Sequence, residues 1–430
     1  MRKVLELIKT MFKIGCIGFG GGSALIPVLE RETVSKKEMV SKEDFDKNVV
    51  VASITPGALP VEIASGIGLS FASYPGMVLG AIAMALPGAI ATILLLTLFV
   101  SMEAEVLQIV KYIAVPVSVY IICMLLLYVK KAVHIGDKYA TSREKLLYII
   151  VVLLVFILNA GKEINLLTGI DWLMFFDLSS IQILGMAFFI IMFNGNGLRV
   201  WKSISTVILC VIYVICAGKN NIDYPSVENG LRIVMMLLSV GSVYKTIKED
   251  NILWNVNWGK LWKCLGIWFA VLFALILPAC MITDDVWRFI GKGLMSSFMS
   301  FGGGDAYLSM ADGIFVQSGM VSDIIFYGQL VIIVNVLPGS ILCKTLSGIG
   351  YLIGFGTSGD VTIGIAMAVA GFAVSVFGSC SVSVTCSHLY SGLEKFRIFN
   401  EISRWIRPIV SGTLLSICLA MLAEILLILR

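Results

Sequence analysis

A four-residue run, Phe19-Gly20-Gly21-Gly22, returns 282 positions later as Phe301-Gly302-Gly303-Gly304. At the same spacing Pro56-Gly57 returns as Pro338-Gly339, and Ser65-Gly66-Ile67-Gly68 as Ser347-Gly348-Ile349-Gly350. Ile82-Ala83-Met84-Ala85 then returns as Ile365-Ala366-Met367-Ala368, one position further on. Matches in one order at nearly one spacing mark an internal duplication, which constrains the architecture before any local pattern does. Each copy keeps its helix-breaking glycines and prolines in register. Paired Gly/Pro-interrupted apolar segments in two halves of a chain are the sequence pointer to a secondary-transporter binding site.

The surroundings of these motifs are apolar. Of 430 residues 58% are hydrophobic and only 14% charged, and the mean hydropathy is +0.95. Soluble domains carry about 25% charged residues, so the chain is read as a bilayer protein. Stretches 77–100, 106–129, 261–282 and 408–429 each reach the roughly 20 apolar residues that span a hydrocarbon core. Lys9 and Lys13 interrupt the first apolar segment and no small-residue cleavage site follows, so the N-terminus is expected to stay in the mature protein. The expected fold is an all-α polytopic membrane protein with two homologous inverted repeats and broken or re-entrant helices. Its parts are a first repeat core at 1–135, connecting transmembrane segments at 136–260 and a second core at 261–430.

Loop charge supplies the orientation, because Lys and Arg concentrate on the cytoplasmic side. Loop 30–48 holds Arg31, Lys36, Lys37, Lys42 and Lys47, whereas its counterpart 311–323 holds no Lys or Arg. The next pair reverses: 101–105 has no basic residue, and its partner before Pro408 has Lys395, Arg397, Arg404 and Arg407. Opposite bias in matched loops implies opposite orientation, with the N-terminus cytoplasmic. Re-entrant glycine and Pro-Gly elements would leave about nine full spans, and fully crossing ones about thirteen.

The interrupted segments carry the candidate chemistry. Backbone that leaves helical geometry inside a bilayer persists only where protein covers it or a watery cavity meets it. Three consecutive glycines let a ligand approach the main chain. The segments after them, 23–29 and 305–310, present N-terminal N–H groups and partial positive charge, which suits an anion. This nominates Phe19, Gly20, Gly21, Gly22 and Ser23, with Phe301, Gly302, Gly303, Gly304 and Asp305. The bland alternative is that glycines here only let helices pack closely.

Pro56-Gly57 and Pro338-Gly339 each split an apolar helix, leaving half-helices 58–71 and 340–355 that start in mid-membrane. Plain kinks are the alternative. Five residues past each break the copies differ: Glu62 stands in the first and Lys344 in the second. Ionisable residues inside spans are costly and face a cavity or a partner. Lys344 would attract an anion, and Glu62 would carry a proton or neutralise the lysine in an empty site. Against this, Lys344 would snorkel to the interface and Glu62 would sit in a watery vestibule. Asn335 is a further polar candidate; Thr55 is its counterpart in kind, not in register.

Other classes fit poorly. No Gly-x-x-x-x-Gly-Lys-Ser/Thr run occurs, so ATP is not expected as the direct energy source. No Gly-x-Ser-x-Gly elbow or histidine-based nucleophile set is visible, so an enzyme is not expected. With two histidines and no Cys-x-x-Cys spacing among ten cysteines, neither a metal site nor a cofactor is expected. The net charge of +4 sits mostly in short loops and marks no nucleic-acid surface.

Phe19 to Pro27, with Glu32, Phe45 and Pro56-Gly57 beyond, resembles the chromate ion transporter family, more narrowly its long form of two fused homologous halves. The resemblance covers essentially the whole chain and is strongest over 12–100 and 294–385. It implies a bacterial inner-membrane protein that moves chromate outward, driven by the proton gradient or by exchange for an anion such as sulfate. A homodimer is one assembly this reading admits. Family members often carry Pro-Gly-Pro where this chain has Pro56-Gly57-Ala58 and Pro338-Gly339-Ser340. A neutral amide is common where Glu62 and Lys344 stand. The remaining alternatives are a carrier of another small solute and a membrane sensor or scaffold; no sizeable soluble module is present to pass on a signal.

Overall fold

The computed structural model describes residues 2–18, 25–100, 115–130 apart from 117, 124 and 128, 142–168, 178–195, 200–217, 225–249, 256–282, 285–300, 304–393 and 397–429. Among the described residues every regular element is helical. The first copy runs through α1 (Arg2–Ile17), α2 (Ile26–Glu30) with a wide π turn over Arg31–Ser35, α3 (Lys42–Ile54) and α4 (Leu59–Val100). Five helices follow: α5 (Ser142–Asn159), α6 (Gly161–Thr168), α7 (Ser180–Asn194), α8 (Val200–Ala217) and α9 (Pro225–Glu249). Then α10 (Trp258–Cys280) leads into the second copy, with α11 (Asp285–Phe298) and α12 (Gly304–Ala311), which widens over Asp312–Val316. It continues through α13 (Asp323–Val336), α14 (Ile341–Ser358) and α15 (Val361–Leu393). Helix α16 spans Arg397–Leu429.

The chain divides into two compact units. The first comprises Met1–Ile121, Val256–His388 and Ile428–Arg430, and so gathers the cores of both copies; the second comprises Ile122–Asn255 and Leu389–Leu427.

Within the first unit the copies follow the same order of elements, except that α13 widens into a π segment over Phe326–Leu330 where α3 stays α-helical. Ser41 accepts the Asp44 N–H at 3.1 Å to cap α3, and its counterpart Ser322 accepts the Ile325 N–H at 3.4 Å to cap α13. The π turns at Arg31–Ser35 and Asp312–Val316 fall at matching places. On α1 the apolar stripe Leu7, Met11 and Ile14 is buried at helical spacing. Gly15 extends that face: a Cβ there would lie 2.5 Å from the Met84 carbonyl oxygen of α4, so its bare backbone sets how closely the helices approach.

Helix α4 is not one rod. Ala72 (φ −137°) and Ser73 (φ 57°) leave helical geometry, and the two arms fold back on each other. A Cβ on Gly68 would sit 2.1 Å from the Gly76 oxygen, a contact impossible eight residues along a straight helix. In the second copy Gly359 (φ +68°) makes the corner between α14 and α15, and a Cβ on Gly350 would sit 2.3 Å from the Met367 oxygen. The repeated Ser-Gly-Ile-Gly is therefore a packing device. Its second glycine faces the returning arm, and its first faces Asn48 of α3 or the equivalent Leu330 of α13.

Helix α1, with 16 residues, is about 24 Å long and α3, with 13, about 20 Å, against a hydrocarbon core of about 30 Å. Among the described residues five helices are long and apolar enough to cross a membrane, the folded α4 being one of them. Expected spans 77–100 and 261–282 fall on the long arm of α4 and on α10, and 408–429 falls within α16; of the expected span 106–129, residues 106–114, 117, 124 and 128 lie outside the described residues.

In the second unit α5 turns Leu146, Leu147, Leu153 and Leu154 outward, and α8 does the same with Val207 and Val211. Faces of this kind are solvated by lipid. Polar groups of the unit are paired inward: Ser416 of α16 donates to the Asn159 carbonyl at 3.0 Å, and Lys202 and Ser242 both donate to the Phe193 carbonyl. The chain is a multi-pass membrane protein.

Candidate functional site

The two Pro-Gly breaks lie in the first unit, and each is held by the other copy. The Gly57 N–H donates to the Ser300 carbonyl at 2.9 Å, and the Gly339 N–H donates to the Gly18 carbonyl at 2.9 Å. Ser300 and Gly18 are themselves equivalent positions, each ending the helix before a triple-glycine run. Proline supplies no N–H at the break, so the glycine is the first donor available. Both glycines have positive φ, +143° at Gly57 and +98° at Gly339, which a side chain would strain.

Their surroundings differ. A Cβ on Gly57 would lie 2.0 Å from Glu62 Oε1 and 2.8 Å from Ser379 Cα of α15, whose hydroxyl accepts the Ala58 N–H at 2.9 Å. A Cβ on Gly339 would meet Gly88 Cα of α4 at 3.4 Å and the Gly15 oxygen at 3.6 Å. Gly88 makes room for the Lys344 stem, since a Cβ there would lie 3.0 Å from Lys344 Cδ.

Glu62 and Lys344 are each 1% exposed, so neither reaches an interface. They do not pair, contrary to the expectation of an acid–base contact. Each instead reaches back across its own break to the residue that ends the preceding helix. Glu62 Oε2 lies 2.7 Å from Thr55 Oγ1, and Lys344 Nζ donates to the Leu337 carbonyl. Thr55 and Leu337 are equivalent positions, the extended C-caps of α3 and α13 (ψ 150° and 147°). The same span is thus closed by a carboxyl on a hydroxyl in one copy and by an ammonium on a main-chain carbonyl in the other.

For Lys344 the energetics balance. A cation at membrane depth costs about 2.5–3.5 kcal/mol. A hydrogen bond from a charged donor returns roughly 1.5–3 kcal/mol, while the favourable C-terminus of α13 and the unfavourable N-terminus of α14, in whose first turn Lys344 lies, offset each other at about 0.3–1 kcal/mol each. For Glu62 the account is different. Its Oε1 is buried without a hydrogen-bond partner, as is the nearby Ser300 hydroxyl, and among the described residues no cation lies within ion-pair distance of it.

The other nominated residues fall as follows. Pro56, Gly57, Pro338 and Gly339 form the two breaks. Phe19, Gly20, Gly21, Gly22, Ser23, Phe301, Gly302 and Gly303 lie outside the described residues; Gly304 and Asp305 open α12. Asn335 is half-buried and donates to the Val331 carbonyl of its own helix at 2.7 Å, which explains its place without a ligand. Sequence reasoning missed Ser379, Gly88 and Leu337. Leu337 contributes a carbonyl, which no residue pattern names, and Ser379 and Gly88 lie on the other copy's long helix.

At the polar loop, Glu32 is buried among Lys36 at 2.9 Å, Arg31 at 3.5 Å and Lys13 at 3.7 Å. The Lys36 hydrogen bond, with the charges of Lys13, Lys36 and Arg31, holds its carboxyl below the usual range against the opposing effect of burial.

Comparison with known proteins gives a family and distant relatives. The family model described as chromate transporter matches residues 5–218 and 287–429. An uncharacterized transporter of Bacillus subtilis is 33% identical over 92 residues, 21% of this chain and 52% of that protein. A probable chromate transport protein of Synechococcus elongatus and a chromate transport protein of Cupriavidus metallidurans are each 28% identical over 82 residues, 19% of this chain and 21% and 20% of theirs. The matches thus span about half the length of the first relative and about a fifth of the other two. No solved structure matches.

Proposed function

Because this chain belongs to the chromate transporter family, we propose that it is a secondary transporter carrying a tetrahedral oxyanion across a bacterial plasma membrane. Chromate is the first candidate and sulfate the second, with outward movement driven by the proton gradient or by anion exchange. The observation that carries this is Lys344, an almost fully buried ammonium at a broken helix, bound to a main-chain carbonyl. An entering dianion offers the ammonium a stronger partner than a neutral carbonyl does. The N-terminus of α14, four residues away, adds partial positive charge. The glycine runs, from Phe19 to Ser23 and from Phe301 to Asp305, complete the anion path with main-chain N–H groups. The loop charges support repeats of opposite orientation with the N-terminus cytoplasmic. Relatives named chromate transport proteins support the choice of anion.

The test is chromate uptake into inverted membrane vesicles, with and without a proton gradient and with sulfate as competitor. Uptake above that of vesicles lacking the protein, reduced by sulfate, is expected. Vesicles that take up neither anion above background, under any gradient, would refute the reading.

A further inference from the structure

The two breaks have one geometry and two chemistries. We infer that they are distinct half-sites, the Lys344–Leu337 clasp receiving the oxyanion and the Glu62–Thr55 clasp binding the proton that accompanies it. This deepens the transporter reading and rests on it.

The proton site follows from counting hydrogens. Thr55 Oγ1 has one hydrogen and two acceptors in reach, the Val51 carbonyl at 2.9 Å and Glu62 Oε2 at 2.7 Å. With Glu62 ionised, one of these contacts is left without a hydrogen. A proton on Oε2 lets Glu62 donate to Thr55 while Thr55 donates to Val51, and both contacts are then hydrogen bonds. The step balances: one proton arrives, no other bond is made or broken, and the clasp changes from ionic to neutral. Oε1, like the Ser300 hydroxyl beside the same break, is buried without a hydrogen-bond partner, leaving an acceptor and a hydroxyl at the clasp free to take part in proton exchange.

The groups around Glu62 leave this role to it. From α14 and α15 the titratable neighbours are the thiols of Cys343, Cys380 and Cys386. The one cation of α14, Lys344, is engaged at Leu337. On α1, Lys9 and Lys13 face outward, and the charged residues of α3, from Lys42 to Lys47, are exposed. Glu62 is therefore the carboxyl that faces the break.

The half-sites are also joined. The Gly57 N–H is tied to the Ser300 carbonyl of the other copy, so a change at the acid clasp pulls on that copy. By thermodynamic reciprocity, a proton that favours anion binding is itself bound more tightly when the anion is present.

The experiment uses the purified full chain in proteoliposomes, with infrared difference spectra of the carboxylic acid C=O band against pH, alongside chromate binding and internal pH. In the wild type a titrating acid band is expected, together with one proton moved per chromate carried. Glu62→Gln should lose the band and the proton movement. Thr55→Val should shift both the frequency and the midpoint of the band, which a merely structural threonine would not do. Lys344→Met should weaken chromate binding at least tenfold while the band persists. The inference is overturned if the band survives in Glu62→Gln, or if Thr55→Val leaves it unmoved; the second arm decides should the first variant fail to insert. A wild type that shows the band but binds neither chromate nor sulfate would sink the transporter reading and leave the proton site standing.

Discussion

The Gly57 N–H reaches the Ser300 carbonyl at 2.9 Å, and Gly339 reaches Gly18 at the same distance. Each copy thus fixes the weak point of the other, at a position where the chain has just lost a donor to proline. The two bonds are equivalent, but the space around the two glycines is not, and this gives the first expectation.

Gly57→Ala should destabilise the protein more than Gly339→Ala. Positive φ costs a side chain about 1–3 kcal/mol at either place. At Gly57 the new methyl also meets Ser379 backbone at 2.8 Å, where over-packing adds about 1–3 kcal/mol. At Gly339 the nearest atoms stand at 3.4 Å or more. Thermal unfolding in detergent should rank wild type, then Gly339→Ala, then Gly57→Ala; the reverse order would contradict the geometry.

The hairpin glycines give a second ranking. Gly68→Ala and Gly350→Ala each drive a methyl to within 2.3 Å of a carbonyl oxygen and should cost about 1–3 kcal/mol. Gly185→Ala on α7 has nothing within 4 Å of the added atom and should be neutral or stabilising by up to about 1 kcal/mol. Equal melting temperatures for all three variants would mean that the arms of α4 and α14–α15 are not in contact.

Topology is open to labelling. In a background lacking the ten native cysteines, Lys37→Cys and Ser318→Cys should react from opposite faces of the membrane. The positions are structurally matched, for Lys37 bonds Thr10 of α1 and Ser318 bonds Lys292 of α11. Labelling of both from outside would favour a parallel duplication.

Glu32 supplies a pH dependence. Its carboxyl titrates below the ordinary value of 4.5 in the folded protein, chiefly through Lys36. The sign follows: its contribution is fully present above the unfolded-state value and is lost as the pH falls through the folded one. The melting difference between wild type and Glu32→Gln should be flat above about pH 5.5 and shrink on further acidification. A difference that grows toward acid would reverse the assignment.

Much of this was legible in the sequence because the signals are local. Proline and glycine mark the breaks at Pro56-Gly57 and Pro338-Gly339, and the helices there end and begin within a residue or two of the expected places. The corner at Ala72–Ser73 falls between the expected half-helix 58–71 and the expected span 77–100, next to the turn formers Ser73 and Pro75-Gly76; what was not legible is that the two arms return onto each other, Gly68 against Gly76. The meeting of Glu62 with Lys344 was expected from equivalence of position alone. Equivalent residues need not touch, and here each found a nearer partner seven residues upstream. Ser379 and Ser300 escaped notice because their roles depend on pairings between copies some 240–320 residues apart, for which short-range pattern has no sign.

The exchange of Glu62 for Lys344 on otherwise matched scaffolding has an evolutionary corollary. Two identical half-length chains assembled the same way would have to present the same side chain at both clasps, acid facing acid or base facing base. Fusion into one polypeptide frees the halves to mutate separately, so that a single molecule holds an acid in one clasp and a base in the other. Such a chain has given up interchangeability of its halves, and swapping the two residues between positions would recreate the chemistry with the roles of the two halves exchanged.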